Sequence, residues 1–292
     1  MNCELSIFTP VYNRAEKLQV LYRSLLTQTD QRFEWIIVDD GSRDETPKVI
    51  SDIVSEQKLH IKTRTQINQG KHVAHNEAVK MCTTEWCVCV DSDDSLVPTA
   101  VEEIIQFIET NHNNIGTNIA GIIAWKGFSP KNKIGKLPIP TYVSSLSGLY
   151  RERGITGDTM LVFRTDIIRK FPFPAFEGER FLRESIIYNE IDEEFQYLIL
   201  DRILYLADYY EDGLSKNASK LELKSPNGAA LFRWDEFKHS TTLKTKIRNL
   251  ISYVFFNRIA HNNKESLKRL GVLFAPFWIL SWSGYIHYRK YL

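Results

Sequence analysis

Over its first 110 residues the chain alternates short unbroken apolar runs with stretches whose apolar residues recur at helical spacing. Residues 5–9 form an apolar run that stops at Thr9-Pro10. Residues 15–28 then place Leu18, Leu21, Tyr22, Leu25 and Leu26 on one helix face. FEWIIV at 33–38 predicts a second buried strand, ending at Asp39-Asp40-Gly41-Ser42. Residues 44–56 predict a helix through Val49, Ile50, Ile53 and Val54. A third strand is expected over 60–65, a helix over 71–81, and a fourth strand over 85–90, which stops at Asp91-Ser92-Asp93-Asp94. Pro98 suits the first turn of one more helix, carrying Val101, Ile104, Ile105 and Ile108.

Strand and helix in this repeat predict an α/β fold, a Rossmann-like, mostly parallel sheet with helices on both faces. Such sheets bind ligands outside the carboxyl ends of their strands. The three polar clusters, Thr9 to Arg14, Asp39 to Ser42 and Asp91 to Asp94, all sit at those ends. The Asp39 cluster alone reads also as a turn and helix cap. Three clusters on one edge favour a single crevice.

Composition adds charge to this picture. Lys and Arg number 37 and Asp and Glu 36, for a net charge of +1, with 43% hydrophobic and 25% charged residues. Those values exclude a disordered chain and a polytopic membrane protein. The near-neutral sum hides an asymmetry: residues 237–292 hold ten Lys/Arg against Glu265 alone, so that tail is +9 and the rest −8. Cys3, Cys82, Cys87 and Cys89 fit reduced thiols, and their spacing does not suit zinc. No basic stretch leads into an apolar run at the start, so no secretory signal is expected.

Asp91-Ser92-Asp93 sets two carboxylates on alternate positions after a strand, with Asp94 beside them. Oxygen ligands of this kind suit a hard cation, Mn²⁺ or Mg²⁺, with positions left open for phosphate. No G-x-G-x-x-G follows the first strand and no P-loop occurs, which disfavours a dinucleotide site or a P-loop nucleotidase.

The run Ser6 to Arg14 (SIFTPVYNR) resembles the opening of a family 2 glycosyltransferase with a GT-A fold. So does IIVDDGSRD at 36–44 with Thr46 after it. Asn68-Gln69-Gly70 with Ala74-His75-Asn76, and Val90 to Asp94, are similar to two further segments of that family. Order and spacing agree over residues 3–110. Later stretches, among them FPAFEGE at 173–179 and DGLS at 212–215, look like a bacterial subgroup that builds capsule, teichoic acid and related surface glycans.

The resemblance implies roles. Thr9, Pro10, Tyr12 and Arg14 would line the nucleoside pocket, with Tyr12 offering its ring to the base. Asp39 would accept from a base N–H, and Asn68 would touch the same side. Asp91, with Ser92 next to it, would meet the ribose or donor sugar, and Asp93, with Asp91, would hold the metal. Lys71 would stand near phosphate, or equally be a solvated residue at a helix start. His75 departs from the Arg that relatives often carry. The resemblance also implies a carboxylate base after the D-x-D. Its matching segment is Glu177-Gly178-Glu179-Arg180, where Arg180 replaces an expected Asp, with Glu184 further on. Glu179 is the first candidate, with Glu177 and Asp158 as substitutes; the alternative is a charged helix start.

Residues 126–140, rich in Lys, Gly and Pro, predict a mobile loop, and 157–164 a further strand. A short strand is expected over 205–210, its Tyr209-Tyr210-Glu211-Asp212 end directed at the donor site. Residues 271–288 lack Asp, Glu, Lys and Arg and are rich in Phe and Trp, with cations on both sides. They fit an in-plane helix on an anionic membrane better than a span; the alternative is packing on the chain's own core.

The expected organisation is a GT-A domain over 1–236 and a basic, aromatic-rich helical appendage over 237–292. The expected activity is inverting transfer of a sugar, a hexose, from a UDP-type donor to a glycan or lipid-linked glycan, at the cytoplasmic face of the plasma membrane and without nucleic acid. The rival is a non-catalytic glycan-binding or membrane scaffold protein.

Overall fold

A computed structural model describes residues 3–135, 142–207 and 214–284. The chain divides into two compact units, residues 1–172 with 187–208, and residues 173–186 with 209–292.

The first unit opens with β1 (Leu5–Val11), α1 (Ala15–Leu26), β2 (Phe33–Asp39), α2 (Thr46–Ser55), β3 (Ile61–Thr65), α3 (Lys71–Met81) and β4 (Trp86–Cys89). Every residue of β1 and β2 is buried, as expected of parallel strands covered on both faces. α1 turns Leu18, Leu21, Tyr22 and Leu25 inward, three and four residues apart from one turn to the next, as in an amphipathic helix. β5 (Ser95–Leu96), α4 (Ala100–Thr110), β6 (Ile119–Ser129), β7 (Asn132–Lys133), β8 (Val143–Ser144), β9 (Thr159–Arg164), the short α5 (Thr165–Ile168), α6 (Ser185–Glu194) and β10 (Gln196–Leu206) follow. The division between the units falls within α6.

Strand order is β3-β2-β1-β4-β9-β6-β10-β5, with β7 on β6 and β8 on β10. β3, β2, β1 and β4 are mutually parallel. Beyond β4 the sheet turns mixed: β9 is antiparallel to both β4 and β6, and β5 and β8 are antiparallel to β10. Periodicity does not report strand direction, and this half has no strand-helix repeat to imply one. β6 was not foreseen as a strand; its end and β7 take up residues 126–133 of the expected loop. Residues 136–140 of that loop, and the expected strand end at 208–212, lie outside the described residues.

The opposite, amino end of the sheet is pinned by Glu34, which is wholly buried. Its carboxylate accepts from the Ser6 hydroxyl at 2.6 Å and the Thr83 N–H at 2.8 Å, and pairs with Lys62 at 2.6 Å. Burial works to raise the Glu34 pKa; Lys62, Ser6 and Thr83 outweigh it and hold the carboxyl below its ordinary 4.5.

The second unit is helical: α7 (Leu214–Lys224), α8 (Pro226–His239), α9 (Leu243–Ile259), α10 (Asn263–Leu270), a 3₁₀ turn at Gly271–Leu273 and α11 (Phe274–Leu280). Its core is Ala229 and Ala230 of α8 against Tyr253, Val254, Phe255 and Phe256 of α9. The domain boundary expected at residue 236 falls inside α8. The charge change there marks no break in the backbone, because charge is set by surface residues and α8 continues beneath them.

Candidate nucleotide-sugar site

The site forms at the carboxyl ends of β1, β2 and β4. β1 lies between β2 and β4, the switch point of a doubly wound sheet, where sheets of this kind bind their ligands.

The loops after β1 and β2 are stitched together. The Asn13 N–H donates to the Ser42 hydroxyl at 2.9 Å, the Arg14 N–H to the Thr46 hydroxyl at 2.9 Å, and the Arg43 N–H to Asn13 Oδ1 at 2.8 Å. Asn13 takes φ 51°, a left-handed conformation that Asn tolerates. Asp39 closes its own turn by accepting from the Ser42 N–H at 3.0 Å. Asp40, 2% exposed, accepts from the Gln66 side chain at 2.7 Å and from the N–H groups of Gln69 and Gly70 at 2.8 and 2.7 Å. It therefore ties the D-D-G-S turn to the start of α3. Gly41 sits at φ 72° with Asn68 N and Gln66 O each 3.0 Å from where a Cβ would stand, so a side chain there would both strain the left-handed turn and crowd the neighbouring backbone.

Three carboxylates and three cations meet beside this scaffold. Lys71, the first residue of α3, pairs with Asp91 at 2.6 Å, and Arg14 with Asp93 at 3.6 Å. Lys126 lies 3.9 Å above the Tyr205 ring. β5, immediately after Asp94, pairs with the end of β10 through Leu96 and Tyr205. That pairing sets the buried Tyr205 hydroxyl under the acidic turn, where it accepts from the Asp91 N–H at 2.9 Å and donates to Asp94 Oδ2 at 2.7 Å. Burial, then the charges of Asp91 and Asp94, push the Tyr205 pKa well up, so it stays a phenol. Burial also raises Asp94, with Asp91 adding to it, to about 6. For Asp91 burial acts upward too, but Lys71 and Lys126 prevail and hold it below the ordinary carboxylate range.

The expected residues of the first unit gather here. Tyr12 stands 40% exposed just after β1, and Arg14, Asn68, Lys71, Asp91 and Asp93 are partly exposed in the neighbouring loops. Thr9, Pro10, Asp39 and Ser92 are buried, and the Thr9 hydroxyl accepts from the Trp35 indole N–H at 3.0 Å. His75 is buried with its ring edge-on to Phe8 at 4.9 Å. Asp158 precedes β9, which runs antiparallel to β4 with Val162 opposite Val88. That register brings residue 158 to the same edge as Asp91.

Glu177 and Glu179 belong to the second unit. Glu177 is exposed. Glu179 is 8% exposed and occupied: Oε1 accepts from the N–H and side chain of Asn227, both at 2.8 Å, and Oε2 from the Gly228 N–H at 2.9 Å. It caps the amino end of α8, whose first N–H groups have no partner within the helix.

Sequence reasoning missed Tyr205 and Lys126 as site residues. A tyrosine in an apolar strand reads as core, and its contact with Asp91 spans 114 residues. Lys126 was hidden within the expected loop.

A cation would find hard carboxylate oxygens at Asp91 and Asp93, already facing opposite charges. Two such donors fit a Mn²⁺ or Mg²⁺ ion that completes its shell with phosphate oxygens and water. Among the described residues no group of three His, Cys, Asp or Glu converges as a self-sufficient metal cage.

A parallel half-sheet with an acidic turn at its switch point, continued by a mixed half, defines a GT-A fold. The profile of glycosyl transferase family 2 matches residues 6–171, and the chain belongs to that family. A glycosyltransferase of Haemophilus influenzae is 35% identical over 112 residues, which are 37% of this chain and 36% of that protein. The chain thus spans about a third of that curated relative's length. Among solved structures, S. aureus TarS 1–349 in complex with UDP-GlcNAc shares the fold at a TM-score of 0.60 and 19% identity, over 98% of this chain and 92% of that one. A mannosyltransferase from Pyrobaculum calidifontis in complex with GDP-Man and Mn²⁺ gives 0.55 and 13%, over 99% and 76%.

Proposed function

We propose that the chain is an inverting glycosyltransferase that moves a hexosyl group from a UDP-type donor to a glycan or lipid-linked glycan of a bacterial surface polysaccharide. The observation that carries this reading is the meeting of Asp91 and Asp93 with Lys71 and Arg14 at the β1/β4 switch point. A carboxylate pair with adjacent cations suits an anionic diphosphate whose charge grows as the sugar departs.

The base of the donor stacks on the exposed ring of Tyr12, with Asn68 and Asp39 on its hydrogen-bonding side. Thr9 and Pro10 shape the floor of that pocket from within, Thr9 by fixing Trp35. Asp91 and Ser92 face the ribose and donor sugar. Lys71 and Arg14 turn from their carboxylates toward phosphate oxygens. Asp93, with Asp91, would hold Mn²⁺ or Mg²⁺ on the diphosphate, where the ion would neutralise the leaving group. The acceptor hydroxyl loses its proton to a carboxylate as it attacks the anomeric carbon. Glu179, Glu177 and Asp158 are the candidates. The three N–H donors on Glu179 favour a capping role, while Asp158 shares the strand edge of Asp91. The reaction is placed at the cytoplasmic face of the plasma membrane, where a lipid-linked acceptor is held.

Calorimetric titration of UDP in Mn²⁺ and in EDTA tests the donor site. Binding is expected in Mn²⁺ and at least about tenfold weaker in EDTA; equal affinities would remove the metal. A hydrolysis screen over nucleotide sugars then identifies the donor. Turnover of Asp158→Asn, Glu177→Gln, Glu179→Gln and Glu184→Gln, each with intact UDP affinity, assigns the base to the variant that fails. Loss in none of them, with no hydrolysis of any donor, would favour the non-catalytic scaffold.

A further inference from the structure

The segment from Gly271 to Gly284 has two apolar faces, and the chain's own core covers one. Phe274, Phe277 and Trp278 pack on the Tyr253–Phe256 cluster, and Ser281 is fully buried on the same side. Gly284 closes the segment against α9: a Cβ there would stand 2.5 Å from the Phe255 ring. The residues between them in the helical repeat point the other way. Val272 is 92% exposed, Leu273 54%, Ile279 65% and Leu280 48%, with Ala275 and Pro276 exposed between them. Single exposed apolar residues are ordinary; a continuous helix face of them marks a contact surface.

We infer that this outer face of α11 and its leading turn docks in the plane of an anionic lipid bilayer. No Asp, Glu, Lys or Arg occurs between Arg269 and Arg289, so nothing charged has to be dehydrated as the face enters the headgroup region. Cations stand at its border. Lys264 and Lys268 are exposed on α10 beside Leu267, itself 54% exposed. The Arg258 guanidinium lies over the Trp278 and Trp282 rings at 4.7 and 3.7 Å. Amphipathic indoles with adjacent cations are the residues favoured at a membrane-water boundary. Among the described residues no helix is long and apolar enough to cross a membrane, so the face lies on the bilayer. Charge decides between lipid and a second copy of the chain. A tail of +9 is attracted by anionic headgroups, whereas a copy meeting the same face brings its own cations.

Flotation of the full chain with phosphatidylcholine vesicles, with and without phosphatidylglycerol, tests this without reference to turnover, so it stands or falls apart from the transferase reading. Binding is expected only with phosphatidylglycerol and is expected to weaken in high salt. The double variant Val272→Ser/Ile279→Ser should lower the partition coefficient about tenfold or more, with an unchanged melting temperature because both side chains are already exposed. Lys264→Gln/Lys268→Gln should lower it about tenfold as well and flatten the salt dependence. Flotation of both variants equal to that of the unaltered chain would overturn the inference. So would a dimer in sedimentation analysis that the Val272/Ile279 variant dissolves, which would give the face to a second copy.

Discussion

Two pairs of carboxylates, one pair in each unit, are satisfied in opposite ways. In the first unit Asp91 and Asp93, both partly exposed, face the flexible cationic side chains of Lys71 and Arg14. In the second, Glu179 is filled by backbone and amide N–H groups of α8. Glu222, 1% exposed, is clamped there by Arg183 at 2.9 Å and Arg233 at 2.8 Å. A partner on a mobile side chain can be exchanged for a ligand; a helix terminus or a buried double pair cannot be without structural loss. The partner, more than the residue type, separates a carboxylate available to chemistry from one committed to the fold.

Substitutions sharpen or break that contrast. Asp93→Ala should lower transfer by about a thousandfold or more while the melting temperature moves by about 2 °C or less, checked by turnover and calorimetry. A large fall in melting temperature would make Asp93 structural after all. Glu222→Ala should do the reverse. It leaves two arginines facing each other, and denaturant unfolding should show a loss of about 3 kcal/mol.

Glu34→Gln probes a structural carboxylate inside the first unit, at the end of the sheet away from the crevice. Its folded pKa is depressed, so its stabilisation is fully present above the unfolded value of 4.5 and is lost as pH falls through the folded one. The unaltered chain should lose stability on acidification below about pH 4.5, and the variant should show a flatter curve there with a loss of about 2 kcal/mol at neutral pH. An identical slope in both would assign the acid sensitivity elsewhere.

Tyr205→Phe gives the smallest effect and stands between the classes. It keeps the ring beneath Lys126 but leaves the Asp91 N–H and Asp94 without their shared hydroxyl. The kcat/KM for the donor should fall about tenfold, with the Mn²⁺ concentration giving half-maximal activity raised. Unchanged metal dependence would reduce Tyr205 to packing.

The same contrast explains what was legible in the sequence. β1 to β4 and the helices between them follow from runs such as FEWIIV and from the spacing of Leu18, Leu21 and Leu25, because burial on both faces of a sheet is written locally. The acidic turn was legible because strand ends carry ligands. β6 contains IAGIIAW, as apolar as β2, but it runs on into Lys, Gly and Pro, the composition of a loop. The antiparallel insertion of β9 left no local sign. The duty of Glu179 was out of reach as well, since Asn227 and Gly228 lie 48 and 49 residues further along.

The pairing of β5 with β10 also sets an order of assembly. Leu96 meets Tyr205, and Asp91 waits for the same tyrosine, 114 residues on. While the chain is being synthesised, the acidic turn emerges long before the phenol that orders it. A nascent chain that stops at residue 171, the last residue of the family match, holds Asp91 and Asp93 with no hydroxyl beneath them. Closing so long a loop is slow relative to pairing β1 with β2. The ordered acidic turn is therefore a late product of folding, completed only after most of the sheet has formed around it.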